Sequence, residues 1–253
     1  MPISKKKKPI PETSDNGQTK GRITRTRLWL FDMDDTLFDA SAGMFASIHR
    51  KMESFIADKL DLEIEDAAKV QNDYWRIYGA TFLGLEKHKD IAPDDFFNAT
   101  HSFDLSPFVK THRGSESLRR LIAKLPGKKV VITNGPAIYA KGVLACMKLT
   151  DVFDDVISAN DMNRLGQWRC KPDKTLFLTA CSQMGVKPEL TTIIEDSPSN
   201  LKAAKSLGLM TVWCDGYRQK PPHQTQAHVW ADWVVNDIAD LVRKFARAKT
   251  KID

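Results

Sequence analysis

No segment of this 253-residue chain approaches the run of about 18 apolar residues that a membrane helix needs, so no membrane partner is expected. Nor does an apolar stretch follow the N-terminal lysines, where the hydrophobic region of a secretory signal would lie. Cysteine is scarce: Cys146, Cys170, Cys181 and Cys214 are widely spaced, and no two form a C-x-x-C pair. That spacing argues against a disulfide frame or a zinc site. It favours free thiols in a reducing compartment, so a cytoplasmic location is expected. Asn98-Ala99-Thr100 matches a glycosylation sequon but has no secretory context. Internal repeats are also absent. The composition, 42% hydrophobic and 28% charged, is that of an ordinary soluble protein, long enough for one core or for a core with an inserted lobe.

The net charge of +6 invites a nucleic-acid reading until it is located. Residues 1–27 alone carry a net +6 and residues 243–253 a net +4, which leaves 28–242 at −4. The body is mildly acidic and the basicity sits at the two ends. Residues 1–27, rich in Lys, Pro, Ser and Gly, hold too little apolar surface to offset their ordering entropy, so a disordered basic tail is expected. Its lysine run could serve as a nuclear address or a nucleic-acid arm, but a solvated tail is the preferred reading and nucleic acid is not an expected partner.

Short apolar runs predict buried strands at Leu28–Met33, Lys129–Thr133, Asp155–Ser158, Thr191–Glu195, Met210–Trp213 and Trp233–Val235. Helical patterns lie between them at Ser115–Leu125, Ala137–Met147, Lys174–Met184 and Pro198–Leu207, the last closed by Gly208. Such alternation predicts an α/β fold: a doubly wound, Rossmann-like parallel sheet with helices on both faces. One interval breaks the rhythm. Residues 40–110 hold no good strand, only helical patterns at Ala42–Leu60, Ile64–Leu83 and Asp94–Thr100. About 70 residues of helix after the first strand suggest an inserted lobe, so the core is expected over 28–39 and 111–242, with a helical cap over 40–110 and a basic end at 243–253.

Ligands of open α/β sheets bind at the carboxyl ends of the strands. Here the first strand runs into Asp32-Met33-Asp34-Asp35, within a stretch of four aspartates that ends at Asp39. Another runs into Thr133-Asn134-Gly135, a third into Glu195-Asp196-Ser197, and Lys171 stands in a loop before a helix. Clustered carboxylates suit Mg²⁺, a hard cation that prefers oxygen ligands. A hydroxyl and backbone N–H groups can hold phosphate oxygens, and a lysine can neutralise charge on a transferring group. The constellation therefore points to phosphoryl transfer. Asp35 reads as a residue that braces the loop, and Asp39 or Ser41 as a cap for the first helix of the insert.

D-x-D-x-T at Asp32–Thr36, the hydroxyl of Thr133, Lys171 and the acidic pair Glu195-Asp196, in that order, resemble the four motifs of the haloacid dehalogenase superfamily of Mg²⁺-dependent phosphohydrolases. The likeness spans about Leu28–Tyr217 and implies a core with a helical cap of the C1 type, closing over the phosphate site. It implies roles as well. Asp32 is the nucleophile that forms an aspartyl-phosphate. Asp34 is the general acid and then the base, and it offers its backbone carbonyl to the metal. Thr133 and the Asn134 N–H bind the phosphoryl group, and Lys171 steadies Asp32 and the phosphate. Asp196 ligates Mg²⁺, with Glu195 either a ligand or one layer behind. The dehalogenase branch lacks the second aspartate, so Asp34 implies a phosphatase or phosphotransferase; a phosphomutase stays open.

FDMDDTLFDASAG, YWRIYGATFLGL, VVITNGPAIYA and IIEDSPSNLKAAKSLGL resemble, more narrowly, the bacterial pyrimidine 5′-nucleotidases, which implies hydrolysis of UMP, CMP or dTMP. A phosphatase for another small metabolite, such as phosphoglycolate or a sugar phosphate, is the alternative. Tyr74, Trp75 and Tyr78 fall in the cap. Aromatics at helical spacing usually pack a core, but Tyr78 is the candidate for a nucleobase contact. His101 and Phe103 read as structural. Two non-enzyme readings are weaker: a receiver-type phospho-acceptor domain has no place for the insert, and a nucleic-acid-binding protein would rest on the tail alone.

Overall fold

The computed structural model describes residues 17–109, 115–164, 166–217 and 227–250. Its spine is a sheet of six parallel strands. After helix α1 (Gly17–Ile23) comes β1 (Leu28–Phe31), whose four residues are all buried. Four helices follow: α2 (Met44–Leu60), α3 (Ile64–Tyr78), α4 (Thr81–Lys89) and α5 (Pro93–His101). The chain then builds α6 (Ser115–Ala123), β2 (Lys128–Ile132), α7 (Ala137–Cys146) and β3 (Asp155–Ile157). A two-stranded antiparallel hairpin, β4 (Asn163–Arg164) and β5 (Gln167–Trp168), precedes α8 (Lys174–Gln183) and β6 (Thr191–Glu195). The chain continues through α9 (Pro198–Ser206), β7 (Met210–Cys214), α10 (Ala227–Trp230), β8 (Trp233–Val235) and α11 (Ile238–Lys249). Among the described residues no helix is long and apolar enough to cross a membrane.

The strand order is β3-β2-β1-β6-β7-β8. From β1 the chain winds outward through β2 and β3, then returns to the other side of β1 and winds out through β6, β7 and β8. The order therefore reverses between β1 and β6, where a crevice opens at the carboxyl ends of open α/β sheets. Side chains along β1 alternate between the two faces. Trp29 and Phe31 join the cluster of α6, α7 and α11; Leu28 and Leu30 join that of α8 and α9. Burial on both faces explains why the strands read as short unbroken apolar runs.

The helical insertion between β1 and β2 is present, with one difference inside it. The expected helix Ile64–Leu83 is two helices. Gly79 ends α3 in the left-handed region at φ 81 and Ala80 is extended before α4 starts. Only glycine takes that backbone readily. The turn lets α4 fold back closely: a Cβ at Gly84 would lie 2.2 Å from the Tyr74 ring.

The ends also differ from expectation. Residues 1–16 of the expected tail and 110–114, where the cap was expected to return to the core, lie outside the described residues. Residues 17–23 are helical, and Ile23 is wholly buried in the cluster that holds Phe245 and Leu241. Of the expected basic C-terminal end, residues 243–249 likewise continue α11, with Phe245 and Ala248 buried, and 251–253 lie outside the described residues. The lysines and arginines of α11 occupy the outer face of an amphipathic helix whose inner face completes the core.

Candidate active site

β2, β1 and β6 are neighbours in register, so the residues at their carboxyl ends meet. Asp32 follows β1 and continues the ladder through its N–H to the Ile194 carbonyl (2.9 Å). Thr133 follows β2 in the same way, donating to the Ile157 carbonyl (3.0 Å). Glu195 is the last residue of β6. Between these ends lies Lys171, carried in by the loop that joins β5 to α8. Asn134 fixes this loop with its side chain: its Nδ2 donates to the Lys171 carbonyl (3.0 Å) and its Oδ1 accepts from the Lys171 N–H (2.9 Å). The sequence reading gave Asn134 only a backbone contact to phosphate.

Lys171 Nζ donates to Asp32 Oδ1 and to Glu195 Oε2, the latter at 3.0 Å. The other Glu195 oxygen, Oε1, accepts from the N–H groups of Asp196 (3.2 Å) and Ser197 (3.0 Å). Both oxygens of Glu195 are thus engaged within the protein. Asp32 Oδ2 is buried with no hydrogen-bond partner. Thr133 is buried, and its Oγ1 accepts from the Gly135 N–H (3.0 Å). Asp34 makes its side-chain bond elsewhere: its Oδ1 accepts from the Tyr139 hydroxyl of α7 (2.5 Å). Tyr139 was missed from sequence. Its place in the first turn of the helix leaving a strand-end loop is the signal that could have found it.

The remaining aspartates of the first stretch hold the chain. Asp35 takes φ 58, and its carboxylate accepts from the Ser41 N–H (2.9 Å) and hydroxyl (2.5 Å). Asp39 caps the single 3₁₀ turn Ala40–Ala42 by accepting from the Ala42 N–H. The cap at α2 itself is Gly43, with no side-chain bond.

Burial dominates the electrostatics. It pushes Asp32 up to about 7, with Glu195 adding to the rise and Lys171 opposing it. Burial lifts Asp34 to about 6 against the pull of the Tyr139 hydrogen bond. Asp196 rises to about 9 through burial and the nearby Glu195 and Asp32. For Lys171 burial disfavours the ammonium, but Asp32 and Glu195 more than reverse this and hold it charged above the usual lysine range. One oxygen from each of Asp32, Glu195 and Asp196 lies within 4.8 Å of the others. Three acids this close, one with an unpartnered buried oxygen, suit a hard cation. Asp34 is not among these side chains; only its backbone carbonyl was expected to face a metal.

Tyr78 does not join this group. Its hydroxyl pairs with His88 Nε2, its ring lies 6.0 Å from that of Tyr74, and Lys87 Nζ lies 5.3 Å from its ring centre. All these partners belong to α3 and α4. The cap meets the core elsewhere. Phe82 packs edge-on to Trp168 at 4.7 Å, Trp168 Nε1 donates to Glu86 (2.7 Å), and Asn160 donates to Asp94 (2.9 Å).

Among curated proteins, the chain is 27% identical over 196 residues to phosphate metabolism protein 8 of Saccharomyces cerevisiae, covering 72% of this chain and 60% of that protein. It thus spans about three fifths of that relative's length. It is 28% identical over 227 residues to a glyceraldehyde 3-phosphate phosphatase of Methanocaldococcus jannaschii (84% and 94% covered). It is 24% identical over 242 residues to a phosphoglycolate phosphatase of Pseudomonas putida (90% and 83%). Among solved structures, a HAD phosphatase from Thermococcus onnurineus superposes with a TM-score of 0.61 at 18% identity, covering 86% of this chain and 97% of that one. At that identity the likeness shows the fold alone. The model of the haloacid dehalogenase-like hydrolases matches residues 26–208. That span takes in β1, the whole helical insertion and every residue gathered around Lys171, and the chain belongs to the haloacid dehalogenase-like hydrolase family.

Proposed function

We propose that this protein is a phosphomonoester hydrolase for a small phosphorylated metabolite of the phosphoglycolate or sugar-phosphate kind, working through an aspartyl-phosphate. The observation that carries this reading is the pair of aspartates at the end of β1. Asp32 is buried against Lys171 with one oxygen unpartnered. Asp34, two residues on, is held near 6, where its acid form is within reach at neutral pH. The names of the relatives, glyceraldehyde 3-phosphate phosphatase and phosphoglycolate phosphatase, support the substrate class.

Asp32 attacks phosphorus and the bond to the ester oxygen breaks. Asp34 gives that oxygen its proton, so the alcohol leaves neutral. Water then attacks the phosphorus of the aspartyl-phosphate, Asp34 takes a proton back, and Asp32 and inorganic phosphate are released. Lys171 and Thr133 offset charge on the phosphoryl oxygens. Mg²⁺ would be held by Asp32, Asp196 and the Asp34 backbone carbonyl, with Glu195 behind them because its oxygens already accept from Lys171 and two N–H groups. When bound, the ion lets the clustered acids ionise and polarises the phosphoryl group.

The pyrimidine-nucleotide expectation is the finer and competing substrate. The names of these relatives give it no support, and the hydroxyl of Tyr78 is taken by His88. The test is released phosphate from a panel holding phosphoglycolate, sugar phosphates and UMP, with Mg²⁺ or with EDTA. Phosphoglycolate or a sugar phosphate should turn over faster than UMP, EDTA should abolish release, and Asp32→Asn should remove it. Faster UMP turnover reverses the substrate, and release that survives Asp32→Asn refutes the mechanism.

A further inference from the structure

We infer that Tyr139 is a positioning residue for Asp34: its phenol fixes which carboxyl oxygen faces the leaving group. The inference rests on the phosphatase reading and deepens it. The Tyr139 hydroxyl donates to Asp34 Oδ1 (2.5 Å). The carbonyl oxygen of a neutral carboxyl is the stronger acceptor, so a bond donated to Oδ1 favours the form of Asp34 whose acid proton is on Oδ2. A carboxyl free to rotate about its last torsion would present either oxygen, because that torsion is broad and roughly two-fold. One donor on one oxygen removes the choice.

Tyr139 is itself held. It is 1% exposed. A Cβ at Gly135 would lie 2.8 Å from its ring, so the strand-end loop leaves room for the tyrosine only by carrying glycine there. The ring also meets His101, the last residue of α5, edge-on at 5.6 Å. Core loop, α7 and the end of the insertion thus converge on one side chain, whose only polar atom is aimed at Asp34.

The consequence depends on the leaving group. An alkyl alcohol needs a proton as it departs, whereas p-nitrophenol departs readily as its anion. The test compares wild type and Tyr139→Phe on phosphoglycolate, or the best alkyl ester found, and on p-nitrophenyl phosphate, with Mg²⁺. The substitution should lower kcat on the alkyl ester about tenfold or more beyond any loss on p-nitrophenyl phosphate, as befits impaired acid catalysis, with KM for both little changed. The ratio of the two kcat values is independent of how much of the variant is folded. An equal loss on both esters, or none on either while wild type is active, overturns the inference and leaves the phosphatase reading intact. A wild type that hydrolyses no monoester overturns that reading, and the inference falls with it.

Discussion

Lys171 Nζ lies against Asp32 and Glu195 together, all three side chains buried. A buried charge stripped of its partner is a large penalty, so Lys171→Met leaves two buried carboxylates facing each other. The variant should lose about 3 kcal/mol in urea unfolding with EDTA present at mildly alkaline pH. The loss should shrink on acidification. Asp32 already sits near 7 with Lys171 lowering it; without the lysine it holds its proton to higher pH. A carboxyl whose folded pKa lies above its unfolded one binds more protons when folded, so falling pH stabilises the fold. A pH-independent loss would argue that packing, not charge, is what Lys171 supplies. The motif residues around it were legible because strand-end chemistry has a recognisable spelling. Tyr139 and the side chain of Asn134 were not, because each acts through hydrogen bonds to a residue distant in sequence, one from Tyr139 to Asp34 and two between Asn134 and Lys171.

Helix α5 ends on His101, which is 7% exposed and bonded to the Thr100 hydroxyl at 2.7 Å. Burial lowers its pKa to about 4. Between that value and the ordinary 6.5 the unfolded chain binds a proton that the folded chain refuses. The stability owed to neutral His101 is thus complete above the unfolded pKa and lost as pH falls toward the folded one. His101→Phe keeps a ring beside Tyr139 and removes the titration. It should be the less stable protein near pH 8, by about 1 kcal/mol for the lost hydrogen bond. Near pH 5, where wild type has given up about 2 kcal/mol through His101, the difference should close or reverse. Comparing the two proteins cancels the opposite trend from Asp32 and Asp34; parallel pH profiles in thermal melts would refute the assignment. Element types were largely readable here, but the break at Gly79 was not. The apolar pattern of α3 runs on into α4, and an isolated glycine within a helical pattern is a weak stop signal.

At the scale of the whole molecule, the alternation of strand and helix predicted a doubly wound parallel sheet with its site at the strands' carboxyl ends, whereas the order β3-β2-β1-β6-β7-β8 and the crevice between β1 and β6 came only with the structure. The closure of the core was harder to read. Both termini carry so many lysines and arginines that charge alone suggests solvent, and charge hides the apolar positions beneath it. α11 buries Ile238, Leu241, Val242, Phe245 and Ala248 at helical spacing under its basic outer face. Phe245 meets Trp29 of β1 edge-on at 5.6 Å, so this helix seals the face of the strand that ends at Asp32. α1 lies over the same layer: Ile23 is 0% exposed, and Arg22 donates to the Gly208 carbonyl at 2.7 Å, behind β7. Ile23→Ala therefore decides whether this segment is part of the fold or an appendage. A side chain in a solvated tail contributes nothing to stability, whereas removing a buried isoleucine leaves a cavity and costs about 2–5 kcal/mol. Urea unfolding should show a lower midpoint with an unchanged slope, the mark of lost stability without a changed unfolded state. An unchanged midpoint would return residues 17–23 to the tail. Because Ile23 belongs to the apolar cluster of Trp29 and Phe31 and not to the group around Lys171, activity per folded molecule should persist while stability falls.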